Sequence, residues 1–192
     1  MNACIPFAAM SVHALLEIVE SKDSYTRRHC QRVAALCNGL CMALHLPDRD
    51  RALLTLAASV HDVGKLGVPA AILRRPFPLN ETERVFMQEH PALGADIMLV
   101  CLTDGREVSE IVRHHHERMD GAGYPDRLDG ARVSPLARIL ACADAADAMM
   151  TDRPYRAAMP RSAVADALRQ NSGTQFDPRF AVPLADLVGR GA

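Results

Sequence analysis

Apolar residues recur at the helical period through most of this chain, and no convincing run of alternating apolar and polar residues interrupts them, which points to an all-α fold. Val33, Ala34, Leu36, Cys37, Leu40, Cys41 and Leu44 follow a start signal at Asp23 or Ser24, predicting one long amphipathic helix over 24–45. His29 falls in its second turn. Leu53, Leu54, Leu56, Ala57 and Val60 repeat the pattern from Asp48 to His61, with Gly64 placed to end that helix and His61 and Asp62 at its C-terminus.

Gly67, Pro69, Pro76 and Pro78 break up the stretch 66–79, which reads as a loop with at most one helical turn at AAIL. Asn80 followed by Glu83 is a capping pattern for a helix running toward His90, and Pro91 starts another through Leu99. His90 therefore marks a helix junction. Val108, Ile111 and Val112 share one face of a helix that ends in His114, His115 and His116, and the glycine-rich MDGAGYPDRLDG after it reads as a loop. Ser134 and Pro135 open a helix with Ile139, Leu140, Ala143 and Met149 inward, and Pro160 opens another through Leu168.

The 192 residues correspond to one domain, or one with a short appendage, against roughly 150 residues per domain. Hydrophobic residues make up 49% and charged residues 23%, enough for a buried core and too apolar for wholesale disorder. With 22 Lys+Arg against 23 Asp+Glu, net charge recruits neither a nucleic acid polymer nor an anionic membrane. No run approaches the roughly 20 apolar residues of a membrane span, the opening lacks a signal-peptide pattern, and the expected compartment is the cytoplasm. Cys4, Cys30, Cys37, Cys41, Cys101 and Cys142 form no C-x-x-C pair and read as reduced core thiols.

Successive helical positions are about 100° apart, so three consecutive histidines fan over about 200° and only two can face one small site. Imidazoles and carboxylates converging inside a helical bundle can build a metal centre, with His29, His61, Asp62, His90, two of the triplet and one later acid as candidates. That acid is Asp144 or Asp147. An unpaired carboxylate among the alanines around Asp144 would be costly to bury; a metal satisfies it, and so would a cap or an arginine. A satisfied, partly exposed histidine likewise remains an alternative for His90.

HDVGK (61–65), QEHPALGADI (88–97), HHERMDGAGYP (115–125), ARILACADAADAMMTDRPYR (137–156) and FDP (176–178) together resemble the HD-GYP domain, in family order and spacing. The resemblance covers about 20–188, leaving 1–19 as an extension or linker-helix remnant and 189–192 as a tail. It implies a helical, metal-dependent phosphodiesterase that hydrolyses the bacterial second messenger cyclic di-GMP to pGpG, with further hydrolysis to GMP left open. It carries His29, His61, Asp62, His90, His115, His116 and Asp144 over as metal ligands and leaves His114 as a bystander.

On that assignment a bridging Asp62 gives one cation His29, His61, Asp62 and Asp144, and the other Asp62, His90, His115 and His116. A bridging hydroxide and a phosphate oxygen would bring each to six, an octahedral N/O set suited to iron or manganese. Lys65 matches the lysine near the scissile phosphate, and with Asp62 makes up the catalytic pair. Tyr124 of the GYP loop, Arg153 and Arg156 match substrate-binding positions, and Gly121 and Gly123 let that loop turn tightly.

The chain departs from the family pattern at several points. Tyr25 stands where some members carry a glutamate for a third metal, so two divalent ions are expected. Ala70, Arg75, Phe77 and Arg127 also differ from the usual residues, which bears on the lid and the substrate grip. Besides cyclic di-GMP hydrolysis, two readings stay open: an HD-type phosphohydrolase acting on another nucleotide or cyclic dinucleotide, and a non-catalytic signalling module. The family's partner class is a diguanylate cyclase or a sensor/receiver protein.

Overall fold

A computed structural model describes residues 14, 17, 18, 20 and 24–190, except 74, 76, 104 and 153–155. The expected extension over 1–19 and tail over 189–192 fall largely outside the described residues, as do Cys4 and Arg153. Regular structure among the described residues is helical, apart from isolated bridge residues such as Ser172 and Phe176.

A long helix, α1 (Ser24–Ala43), packs on α2 (Asp48–Val60), and Val33, Cys37, Leu40 and Leu54 are fully buried. Each such leucine stabilises the fold by about 2–3 kcal/mol relative to exposure. Gly64 does not end α2. The helix stops at Val60 and a 3-10 turn, Val63–Gly67, follows, with Gly64 inside it. Glycine is needed there for close approach. A β-carbon at Gly64 would fall 2.5 Å from the amide nitrogen of Gly94 and 2.8 Å from the carbonyl carbon of His90.

AAIL forms a single turn, α3 (Ala70–Leu73), within the predicted loop. The capping box appears as expected on α4 (Glu81–Gln88), where the Asn80 side chain accepts from the Glu83 amide and the Glu83 side chain accepts from the Asn80 amide. The junction at His90 leads into α5 (His90–Cys101), which packs on α6 (Arg106–His114) and on the 3-10 turn. Val108, Ile111 and Val112 are the buried face of α6.

A short 3-10 turn (Gly130–Arg132) precedes α7 (Pro135–Met150), whose cap is the Ser134 side chain accepting from the Ala137 amide. Helix α7 lies against α1, so two segments separated by 91 residues of chain form one wall of the interior. Helix α8 (Arg161–Gln170) packs on α9 (Pro178–Arg190). Helix α9 is not predicted by apolar spacing. Phe180, Ala181, Leu184, Ala185 and Val188 have helical spacing and are buried, but Pro183 reads as a breaker in their midst.

Asp177 caps α9: its carboxylate accepts from the Arg179 amide at 3.0 Å and from Arg138 Nη1 at 2.8 Å. Cys30, Cys37, Cys41, Cys101 and Cys142 are free thiols, and Cys101 is half-buried where the other four are buried. Among the described residues no helix is long and apolar enough to cross a membrane.

Candidate metal centre

Three of the candidate histidines stand at helix ends, where backbone carbonyls lack intrahelical partners. His61 is the C-cap of α2, His90 opens α5 just after α4, and His115 is the C-cap of α6. Each ring turns Nδ1 onto a carbonyl three residues earlier: Ala58 at 2.8 Å, Met87 at 2.6 Å and Val112 at 2.6 Å. A carbonyl only accepts, so Nδ1 carries the proton and Nε2 is left with its lone pair.

Those lone pairs converge. Ligand atoms of His29, His61 and Asp62 lie within 4.8 Å of one another, as do those of His90, His115 and His116, and His61, His115 and Asp144 form a third such group. The Asp62 carboxylate divides between the first two groups. Its Oδ2 lies 3.8 Å from His29 Nε2 and 3.7 Å from His61 Nε2, while Oδ1 lies 3.3 Å from His90 Nε2. Asp144 also faces two ways: Oδ1 is 2.9 Å from His29 Nε2 and 3.9 Å from His61 Nε2, and Oδ2 is 3.9 Å from His116 Nδ1.

The donor set fits divalent cations on the structure's own evidence. His61 Nε2 is buried without a hydrogen-bond partner, pointing at two carboxylates too distant to bond it. Burial pushes His90 down to about 3 and His116 to about 4, with the Lys65 charge acting in the same direction against Asp62, and His115 is likewise driven well down. These imidazoles are neutral near pH 7, the form that ligates. Burial opposes charge on Asp62 and Asp144 too, yet the Lys65 ammonium holds the Asp62 carboxyl, and the hydrogen bond from His29 holds that of Asp144, well below the usual range. Burial also works against a charged His29, but hydrogen bonds to Asp144 and Asp147 raise it to about 9.

Lys65 reaches the centre from the 3-10 turn, with Nζ 2.5 Å from Asp62 Oδ2. His114 stands apart from the converging ligands, with Nε2 3.1 Å from Asp126 Oδ2, and Arg113 clamps the same carboxylate. Beside the candidate ligands opens a cleft of about 430 Å³ lined by Gln88, His116, Arg118, Tyr124, Asp144 and Gln175, among others. The Tyr124 ring stacks on His116 with centroids 4.7 Å apart and planes 28° from parallel. Arg156 is exposed and donates to the carbonyl of Ala148, a cleft residue, so it sits at the rim.

Glu117 enters the sequence reading only as part of the motif HHERMDGAGYP. The structure makes it the anchor of the GYP loop: the buried carboxylate accepts the amides of Asp126 at 2.7 Å and Leu128 at 3.1 Å. Gly123 passes so close to this strand of backbone that a β-carbon would fall 2.5 Å from Glu117 Cα. Arg127 has φ +52°, the left-handed region where glycine is at home. Of the other departures, Ala70 is exposed, Arg75 is taken by Glu83, and Phe77 is 66% exposed. The acid left open by spacing is separated by geometry. Asp144 faces the converging ligands and Asp147 lies on the far side of the His29 ring, against Nδ1.

The sequence profile of the HD domain family matches residues 13–180. The chain is 40% identical over 167 residues to a 3'3'-cGAMP-specific phosphodiesterase of Vibrio cholerae, covering 87% of this chain and 36% of that protein. It is 37% identical over 179 residues to a cyclic di-GMP phosphodiesterase of Pseudomonas aeruginosa, covering 92% and 43%. Its fold matches that of an HDG"Y"P protein from Bdellovibrio bacteriovorus with TM-score 0.69 and 23% identity, over 93% of this chain and 57% of that one. The chain thus spans less than half the length of the two phosphodiesterases.

Proposed function

The chain belongs to the HD domain family, and from that premise we propose that it hydrolyses cyclic di-GMP to pGpG in a site holding two divalent cations, iron or manganese. The observation that carries this reading is the division of the Asp62 oxygens between two histidine groups. A carboxylate so placed is suited to bridge. One cation would be held by His29, His61, Asp62 and Asp144, the other by Asp62, His90, His115 and His116.

When bound, the cations supply Lewis acidity toward the phosphodiester and lower the pKa of water. The chain's own residues do the rest. Neutral imidazoles hold their lone pairs inward through Nδ1–H bonds to fixed carbonyls, so little reorganisation accompanies binding. Lys65 places a cation beside Asp62, where it can offset charge developing on a phosphate oxygen. Tyr124, backed by His116, offers a flat surface for a guanine. Arg156 at the rim and Arg153 grip the substrate phosphates.

A second substrate reading, 3'3'-cGAMP, is favoured by the name of the relative at 40% identity. Both share a 3'–5' phosphodiester ring and differ in one base. We take 20–188 as the catalytic domain and the cytoplasm, where a second messenger is met, as its compartment. A diguanylate cyclase or sensor/receiver protein is the partner class we assign by family resemblance. Chromatography of cyclic di-GMP, 3'3'-cGAMP and cyclic di-AMP with metal-loaded protein tests the function. Preferential conversion of cyclic di-GMP is expected; preference for 3'3'-cGAMP selects the second reading, and bound metal with no turnover of any of the three refutes both.

A further inference from the structure

His29 differs from the other inward histidines in where its helix puts it. His61, His90 and His115 sit at helix ends and find a carbonyl of the last turn. His29 lies within α1, where preceding carbonyls are engaged by the helix itself. Its Nδ1 instead meets Asp147 Oδ2 on α7 at 2.7 Å. Asp147 is 2% exposed and is itself clamped by Arg32, one turn after His29 on α1, with Nε to Oδ1 at 2.7 Å and Nη2 to Oδ2 at 2.9 Å. The Thr151 hydroxyl lies 3.5 Å from Oδ2.

We propose that Asp147, held by Arg32, is a positioning residue for the metal centre, fixing the tautomer and ring plane of His29 so that Nε2 faces the cation shared with His61. The inference rests on the two-cation reading above. Both oxygens of Asp147 are occupied, and the His29 ring stands between it and the ligand cluster, so it is no ligand itself. A carboxylate behind a ligating imidazole makes the ring more basic, and its removal typically weakens metal binding by about 10–100-fold. The effect belongs to one cation, because His90, His115 and His116 do not touch Asp147.

The test is Mn²⁺ titration of the metal-free chain by calorimetry and electron paramagnetic resonance, with far-UV circular dichroism reporting the fold. The wild type is expected to bind two ions with a coupled spin signal. Asp147→Asn is expected to weaken one ion about 10–100-fold, abolish the coupled signal at sub-saturating metal and leave the other ion near its wild-type affinity. Arg32→Lys keeps the charge but loses the fork, and a smaller loss at the same ion is expected. Unchanged affinities in a folded Asp147→Asn overturn the proposal, as does equal weakening of both ions, which a merely structural role would produce. If Asp147→Asn does not fold, Arg32→Lys decides by the same criteria. A wild type that binds no ion refutes the two-cation reading itself, and the inference with it.

Discussion

Gly64 and His90 meet backbone to backbone. The carbonyl of His90 occupies the space a β-carbon on Gly64 would need, and the amide of Gly94 closes the same gap from the next turn of α5. This contact sets the HD turn against the helix that carries His90, and so sets the distance from Asp62 Oδ1 to His90 Nε2, 3.3 Å. Because both neighbours are backbone, no side chain can move aside.

Gly64→Ala is therefore expected to destabilise the fold by about 2–4 kcal/mol, in the range of overpacking and strain. If the variant folds, Mn²⁺ stoichiometry should fall below the wild-type value as His90 is pushed from Asp62. Thermal unfolding and metal analysis check both.

Asp62→Ala removes the carboxylate that both histidine groups share. Metal content should drop by at least one ion per chain, and turnover of cyclic di-GMP should fall more than about a hundredfold, beyond the loss typical of groups that only support a ligand. Hydrolysis retained after loss of metal would sink the proposed mechanism.

On the proposed reading Tyr124 binds substrate through its ring, which stacks on His116. Tyr124→Ala should raise KM for cyclic di-GMP about tenfold or more, from about 1–3 kcal/mol of base stacking, with a smaller effect on kcat. Tyr124→Phe should stay near wild type. Steady-state kinetics on the pair distinguishes stacking from a hydroxyl contact.

Asp177 ties α9 to α7. Burial works against its charge, but hydrogen bonds and charge from Arg179 and Arg138 hold the carboxyl below its usual range. A group depressed in the folded state stabilises the fold above its unfolded pKa, about 3.9, and that contribution fades as pH falls through the lower folded value. Asp177→Ala is expected to cost about 2–4 kcal/mol at pH 7, combining a lost cap with an orphaned Arg138. The difference from wild type should shrink below about pH 4. Urea unfolding across pH reads this directly.

Arg127 occupies a left-handed backbone position, which costs an ordinary residue about 1 kcal/mol. Arg127→Gly should raise stability by up to that amount while leaving KM within about twofold, since the side chain is exposed. Calorimetric melting and kinetics test the two halves separately.

The helical class and most helix positions were legible in the sequence because they rest on local periodicity and capping. Asn80 with Glu83, Ser134 with Pro135 and the apolar rows of α1 and α2 act within a few residues of themselves. Helix α9 was hidden because the local rule for proline at 183 points one way while burial of Phe180, Leu184 and Val188 against the rest of the fold acts the other. The motif histidines and Asp62 could be named from order and spacing, but not how they face one another. Only the packing of α1 on α7 separates Asp144, facing His29 Nε2, from Asp147, holding the opposite nitrogen. Only the GYP loop's return past Gly123 makes Glu117 an anchor. Periodicity is encoded in neighbouring residues; the direction of a buried side chain depends on which distant helix supplies its hydrogen-bond partner, and that is decided when the helices pack.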